Sequence, residues 1–168
     1  MYKYLASAWV AAPAEDVFAF YCEPAHWQAT LPTLLAVEML GDPPFGLGTR
    51  WRQRRRFLWM VQDSEAEVVG YEPPRELECR IRFPKLEEAG GTLQVAHYMK
   101  EERGGTRWIV GASLEMPEKL PGYVEWTFFA PMRWSARRDL AAFKKAIERL
   151  SGVRSGARSS VHRKSNKQ

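Results

Sequence analysis

Apolar and polar residues alternate with a period of two along much of the chain, a pattern that predicts antiparallel β-strands. The first such stretch is Tyr2–Val10, which is rich in aromatic and β-branched residues. The later stretches are separated by short segments rich in Gly, Pro or charged residues. The pattern predicts later strands at residues 34–40, 50–57, 60–69, 76–83, 92–101 and 106–116.

Three other segments have helical patterns. A short helix is predicted to begin near Pro13, because Pro suits a first turn and the acidic Glu15 and Asp16 favour a helix N-terminus. A second short helix is predicted from residue 24 and ends before the pair Leu31-Pro32. Near the end of the chain, large residues recur at helical steps and predict one long helix, with a kink or a new start at Pro131. This stripe comprises Trp126, Phe129, Arg133, Ala136, Leu140, Phe143, Ile147 and Leu150.

The charges of residues 50–67 indicate how two of the strands pair. If the chain reverses between Leu58 and Trp59, arginines fall opposite acidic residues on one face of the hairpin. Such pairs each contribute roughly a few tenths of a kcal/mol, so their main effect is to fix the register. The predicted pairs are Arg50 with Glu67, Arg52 with Glu65, and Arg54 with Asp63.

The opposite face of this hairpin mixes large apolar and polar side chains. A plain core would not need Gln53, Arg55, Gln62 and Ser64 on one face, whereas the wall of a cavity would. Arg55 and Gln62 lie near the hairpin tip, where they face either a pocket mouth or solvent. Gln53 and Ser64 are more central and are the better candidates for orienting a ligand. The predicted pairs on this face are Trp51 with Ala66, Gln53 with Ser64, Arg55 with Gln62, and Phe57 with Met60.

A second hairpin is predicted from residues 92–101 and 106–116, around a turn at 102–105. Centring it on the turn places Met99 opposite Trp108 and His97 opposite Val110, on a face that is otherwise apolar. His97 is therefore predicted to point inward. A histidine titrates near neutrality, which makes His97 a candidate general acid or base. The alternative is a hydrogen-bonded histidine within the core.

Composition narrows the class of protein. The chain has 168 residues, of which 45% are hydrophobic, and it contains no apolar run long enough to cross a bilayer. We expect a soluble, single-domain protein, and the N-terminal residues do not resemble a signal peptide, so the expected location is cytoplasmic. Cys22 and Cys79 lack metal-ligand spacing and are expected to be thiols.

The net charge of +5 lies entirely at the C-terminal end. Residues 151–168 carry five basic residues and no acid, so residues 1–150 sum to zero. We therefore predict a domain over 1–150 with no nucleic acid partner, followed by a disordered basic tail over 151–168. The tail is either a solubilising extension or a weak contact for an anionic partner. The sequence does not indicate an oligomeric state.

Together these elements give the order strand, two short helices, six or so antiparallel strands and one long helix. This is the order of the helix-grip fold, an α+β architecture in which a curved antiparallel sheet of about six or seven strands wraps around a long C-terminal helix. Four short motifs occur in order at suitable spacings: Ala12-Pro13-Ala14-Glu15-Asp16-Val17-Phe18, Gly46-Leu47-Gly48-Thr49, Tyr71-Glu72-Pro73-Pro74-Arg75 and Gly105-Thr106-Arg107.

Over residues 2–150 the chain resembles the START/Bet v 1-like (SRPBCC) superfamily, especially its polyketide cyclase/dehydrase and lipid-transport branch. The resemblance implies an internal cavity for an apolar ligand such as a lipid, a quinone or a polyketide. It does not imply an activity, because only some members of the superfamily are enzymes.

Candidate site residues come from the inward faces of the predicted elements. Arg133 would either clamp a ligand oxygen or reach solvent over its apolar stem. The aromatic and methionine side chains would line a cavity, although core packing would explain each of them equally. The predicted ligand-binding set is Trp51, Gln53, Arg55, Met60, Gln62, Ser64, His97, Met99, Trp108, Val110, Trp126, Phe129 and Arg133.

Three functions remain open from the sequence. The first is a carrier or sensor that binds an apolar small molecule. The second is a cofactor-independent cyclase or dehydratase, in which His97 and Arg133 polarise a carbonyl and move protons. The third is an interaction module that uses the basic tail to contact nucleic acid, a membrane or a protein. No metal motif, dinucleotide fingerprint or nucleophile elbow is recognisable, so neither a metal nor a cofactor is predicted.

Overall fold

The computed structural model describes the backbone of residues 2–165 except 43, 58–59, 89 and 117–121. Side chains are described over the same range except at 2–3, 85, 122–129 and 153–165. The elements in chain order are β1 (Tyr2–Val10), α1 (Ala14–Tyr21), α2 (Pro24–Thr30), β2 (Leu34–Met39), β3 (Arg50–Phe57), β4 (Met60–Glu72), β5 (Glu76–Arg82), α3 (Pro84–Glu88), β6 (Thr92–Glu102), β7 (Gly105–Glu115) and α4 (Gly122–Ser165).

The strands form one antiparallel sheet in the order β1-β7-β6-β5-β4-β3-β2. Consecutive strands are neighbours from β2 to β7, while β1 pairs with β7 at the far edge. The chain therefore crosses from one edge to the other through α1 and α2, and α4 packs along β1 and reaches β3. The predicted helix-grip class, with its curved sheet and two short helices after the first strand, is confirmed.

Both predicted hairpin registers are confirmed. Arg54 pairs with Asp63 and Gln53 with Ser64 across β3 and β4, and His97 pairs with Val110 across β6 and β7. The β6–β7 turn fits a tight two-residue reversal, because Arg103 and Gly104 both have positive φ angles, of 53° and 74°. The reversal predicted at Leu58-Trp59 lies outside the described residues.

The ion pairs on the solvent face differ in one respect from the prediction. Arg54 and Asp63 pair as expected, with Nε and Oδ1 2.7 Å apart. Arg50, however, pairs with Glu65, its diagonal neighbour, rather than with the directly opposite Glu67. Glu67 accepts a hydrogen bond from Arg82 on β5 instead. The charge pattern of the β3–β4 hairpin alone does not reveal that β5 lies beside β4.

The inward face of α4 corrects one prediction. The apolar residues Leu140, Phe143 and Ile147 are buried as expected, but Arg133 is exposed. Met132 takes the inward position one turn before Ala136. Steps of both three and four residues keep a side chain on one helix face, and burying Met costs far less than burying an unpaired guanidinium.

Three further details bear on the predictions. The helix continues through Pro131, so the expected alternative of a new start there is wrong, and a kink there stays a prediction. Its backbone also extends to Ser165, through the segment whose composition predicts disorder. A short helix, α3, occupies part of the segment between β5 and β6, where only a loop was expected. The division of the chain at residue 150 stays a prediction.

Candidate functional site

A cavity of about 120 Å³ lies between the inner face of the sheet and α4. Its wall is made mainly of aromatic and aliphatic side chains from α1, α2, β1, β3, β5, β6, β7 and α4, with two networks of polar groups. The lining comprises Tyr4, Tyr21, Trp27, Leu31, Trp51, Gln53, Arg55, Phe57, Cys79, Ile81, Phe83, Val95, His97, Trp108, Val110, Met132, Ser135, Ala136, Asp139, Leu140 and Phe143.

Part of the predicted site lies around this cavity. The lining includes six residues of the predicted set, namely Trp51, Gln53, Arg55, His97, Trp108 and Val110. Ser64 lies behind the wall, where its hydroxyl accepts a hydrogen bond from Gln53 Nε2 at 3.2 Å. Met99 is buried in the core rather than in the lining.

The other predicted residues lie elsewhere. Met60 and Gln62 are half-buried at the start of β4 and do not line the cavity. Arg133 faces solvent and does not line it either, so the structure does not bring His97 and Arg133 together around this cavity. The side chains of Trp126 and Phe129 lie outside the described residues.

Several lining residues were not singled out from the sequence. Tyr21 and Trp27 come from the two short helices, whose position over the sheet cannot be read from a local pattern. The sequence does indicate Asp139 as unusual, because it is an acidic residue beside the buried Leu140, on a helix face whose other cavity-lining residues are apolar except Ser135. An acid in such a position needs a buried partner, and a cavity-facing arginine was already predicted at Arg55.

The first polar network connects the sheet to α4. Arg55 donates from Nη1 to Asp139 Oδ2 at 2.7 Å and to Thr33 Oγ1 at 3.2 Å, and from Nε to Gln53 Oε1 at 2.9 Å. The hydroxyl of Thr33 donates in turn to the Asp139 carboxylate. Burial raises the pKa of Asp139, and the nearby Arg55 charge partly offsets this. The pair places opposite charges together at one end of the cavity.

The second polar network connects three rings. Trp108 Nε1 donates to His97 Nδ1 at 3.2 Å, and His97 Nε2 lies 2.9 Å from the hydroxyl of Tyr21. Burial, with a smaller contribution from the Arg55 charge, lowers the pKa of His97 to about 3. Burial also raises the pKa of Tyr21 well above its usual value. His97 and Tyr21 are therefore both neutral at physiological pH.

The described part of the chain shows neither a metal site nor a membrane span. No group of three or more His, Cys, Asp or Glu side chains among the described residues has the arrangement to hold a metal ion. Within the same residues, no helix combines the length and the apolar character needed to cross a bilayer. Cys22 and Cys79 are free, and burial raises the pKa of each thiol to about 12.

A seven-stranded antiparallel sheet that grips a C-terminal helix around an aromatic cavity defines the helix-grip class of proteins. Within that class, the family model described as polyketide cyclase/dehydrase and lipid transport matches residues 1–148. The chain belongs to this family. A comparison with curated proteins gives no significant match.

Solved structures with the same fold share little sequence with this chain. The di-domain aromatase/cyclase BexL has a TM-score of 0.71 at 17% identity, over 88% of this chain and 50% of its own. The Zhui aromatase/cyclase from a Streptomyces species has a TM-score of 0.69 at 14% identity, covering 88% and 94% of the two chains. The protein Ara h 8.0201 has a TM-score of 0.66 at 11% identity, covering 87% and 97%. At these identities the likeness establishes the fold alone.

Proposed function

We propose that this protein binds a small, ring-containing apolar molecule in the cavity, as a carrier or a sensor. The observation that carries the proposal is the aromatic cavity of about 120 Å³. An apolar cavity of roughly 150 Å³ in another protein suffices to bind benzene. The space found here therefore suits a ligand of about one ring, with larger ligands requiring side chains to move.

The surrounding rings favour a planar ligand. The centroids of Trp27 and Trp51 are 4.9 Å apart, and those of Tyr21 and Trp108 are 5.4 Å apart in an edge-on arrangement. Phe143 on α4 closes this cluster, with its centroid 5.5 Å from that of Trp108. Rings at these separations attract through their edges and faces, and an aromatic ligand would make the same kind of contact.

Native mass spectrometry of the purified protein tests the proposal directly. We expect a discrete non-covalent mass that is lost on denaturation and recovered in an organic extract. Added acetophenone, a small aromatic ketone, should bind to protein from which that molecule has been removed. If no small molecule copurifies and acetophenone also does not bind, the proposal is wrong.

Filling the cavity should abolish binding without unfolding the protein. Ala136 lines the cavity on α4, so Ala136→Phe would place a phenyl group where the ligand is proposed to lie. We expect acetophenone affinity, measured by calorimetry, to fall by at least about tenfold. Ala141→Phe is the matched control, because Ala141 is exposed on the same helix and its affinity should stay unchanged. Equal affinities for the two variants would contradict binding in this cavity.

A second candidate function is a cofactor-independent cyclase or dehydratase. One observation favours it: His97 and Arg55, a candidate acid–base group and a candidate hydrogen-bond donor to a carbonyl, line the same cavity. The lowered pKa of His97 weighs against it, since a group with a pKa of about 3 is mostly unable to carry a proton at neutral pH. We therefore place binding first.

Turnover separates the two candidates. An acyclic diketone whose intramolecular aldol condensation forms a cyclic enone and releases water is a simple probe. The binding proposal predicts no acceleration by the protein above the buffer rate, followed by ultraviolet absorbance. Acceleration that is lost in His97→Gln, while diketone affinity is kept, would establish the enzymatic function instead.

We also propose a cytoplasmic location and no ligand-binding role for the basic C-terminal segment. Free cysteines suit a reducing compartment, and the family match ends at residue 148. Deletion of residues 151–168 should therefore leave acetophenone affinity within about twofold of the full chain. A large loss of affinity on this deletion would contradict the proposal and indicate that the tail takes part in binding. A partner that binds only the full chain would indicate the same.

A further inference from the structure

The three-ring network fixes the direction of every hydrogen bond in it. We propose, on the basis of the binding function above, that Trp108 and His97 hold the Tyr21 hydroxyl as a hydrogen-bond donor into the cavity, so that the cavity selects a neutral ligand carrying an acceptor oxygen. Tyr21 would then determine specificity, and Trp108 would be the residue that orients the network.

The argument begins at Trp108, which is fully buried. An indole nitrogen carries a hydrogen and can only donate, so His97 Nδ1 must be the acceptor across the 3.2 Å contact. If the imidazole were protonated, its Nδ1–H would point at the indole N–H, and no hydrogen bond could form between them. The bond from Trp108 therefore admits only the neutral ring with its hydrogen on Nε2.

The second step passes from His97 to Tyr21. Because Nε2 carries the hydrogen, it donates to the Tyr21 oxygen across 2.9 Å. The hydroxyl of Tyr21 keeps its own hydrogen, and no side chain among those the structure describes accepts it. The low pKa of His97 agrees with this neutral tautomer.

Tyr21 presents this hydrogen from a suitable place. Tyr21 lines the cavity and is half-buried, and burial raises its pKa well above the usual value. A ligand oxygen there would complete a hydrogen bond that the protein leaves open.

The other polar groups of the cavity favour a neutral acceptor. Among the lining residues whose side chains the structure describes, Arg55 and Asp139 form an ion pair, with Nη1 and Oδ2 2.7 Å apart. Because Arg55 is already paired, a ligand carboxylate would be buried without a positively charged partner, which is unfavourable. The Gln53 carbonyl accepts from Trp51 and Arg55, and the Asp139 carboxylate accepts from Arg55 and Thr33, so a ligand donor would compete with protein donors at both groups.

Two isosteric probes test the inference. Acetophenone and α-methylstyrene have nearly the same shape, but only the ketone has an acceptor oxygen. We expect Tyr21→Phe to lower the affinity for acetophenone about tenfold and to leave that for α-methylstyrene unchanged, as measured by calorimetry. Tyr98→Phe is the matched control, because Tyr98 is an exposed tyrosine on β6 and should alter neither affinity.

The outcomes distinguish this inference from the function on which it rests. If both probes bind and Tyr21→Phe weakens them equally or not at all, the inference is wrong while the binding function stands. If neither probe binds the unmodified protein, both are wrong. Nitrogen NMR of the His97 ring adds a ligand-free readout: a hydrogen on Nε2 is expected, and a hydrogen on Nδ1 would overturn the inference.

Discussion

Asp139→Leu is expected to lower the free energy of unfolding by about 3 kcal/mol, the lower end of the range for breaking a buried ion pair. The Arg55 and Asp139 side chains retain only 18% and 12% of their surface exposed, so water can compensate little for the lost partner. The variant would leave the Arg55 guanidinium beside an apolar side chain. Chemical denaturation monitored by circular dichroism measures the difference.

The double variant Arg55→Met with Asp139→Leu shows whether the loss comes from the unpaired charge. Replacing both members removes the stranded guanidinium, so much of the lost stability should return. Asp63→Leu is the control for an ion pair in water. Its partner Arg54 lies on the solvent face, and little change is expected. A double variant no more stable than Asp139→Leu would contradict the role given to the buried pair.

The stability of the protein should fall as the pH drops below neutrality, and His97 should account for much of the fall. Its pKa is about 3 in the folded protein, whereas an unfolded histidine titrates near its usual value of about 6.5. Between these values the unfolded chain binds a proton that the native chain does not bind. The free energy of unfolding therefore decreases on acidification, by about 2 kcal/mol between about pH 7 and about pH 5.

Comparing the native chain with His97→Gln isolates this contribution. The substitution should lower stability at neutral pH but remove the extra dependence on pH, which denaturation at several pH values would reveal. The raised pKa of Asp139 makes stability change with pH in the opposite direction. Because Asp139 is present in both proteins, its contribution cancels when their free energies of unfolding are subtracted. His26→Gln controls for the loss of an imidazole as such. Parallel pH profiles for the native chain and His97→Gln would show that His97 is not buried in its neutral form.

The two hairpins could be predicted from sequence because their information is local. Opposite charges at Arg54 and Asp63 define one register, and the turn at Arg103 and Gly104 defines the other. Once a register is set, the alternation of a strand decides which side chains face inward. For this reason His97 was placed correctly, and the cavity-facing position of Gln53 followed from the same reasoning.

The remainder of the site depends on contacts between distant parts of the chain. Tyr21 reaches His97 only because α1 lies across β6, a packing that neither segment encodes by itself. The face of α4 was ambiguous, since Met132 and Arg133 both continue the apolar stripe at helical spacing. Met132 rather than Arg133 faces inward because the surroundings are apolar. Asp139 can be buried because its partner, Arg55, comes from β3.

The tryptophans of the cavity wall give the protein an optical reporter of its own. Among the tryptophans whose side chains the structure describes, Trp27, Trp51 and Trp108 line the cavity. Trp108 is screened from water, so its emission should lie at short wavelengths and respond to whatever enters beside it. A carbonyl compound in contact with these indoles would quench their fluorescence by accepting an electron from the excited indole. Binding of a ligand in the cavity can thus be followed by tryptophan fluorescence in the unlabelled protein, at the low protein concentrations needed to measure a tight affinity.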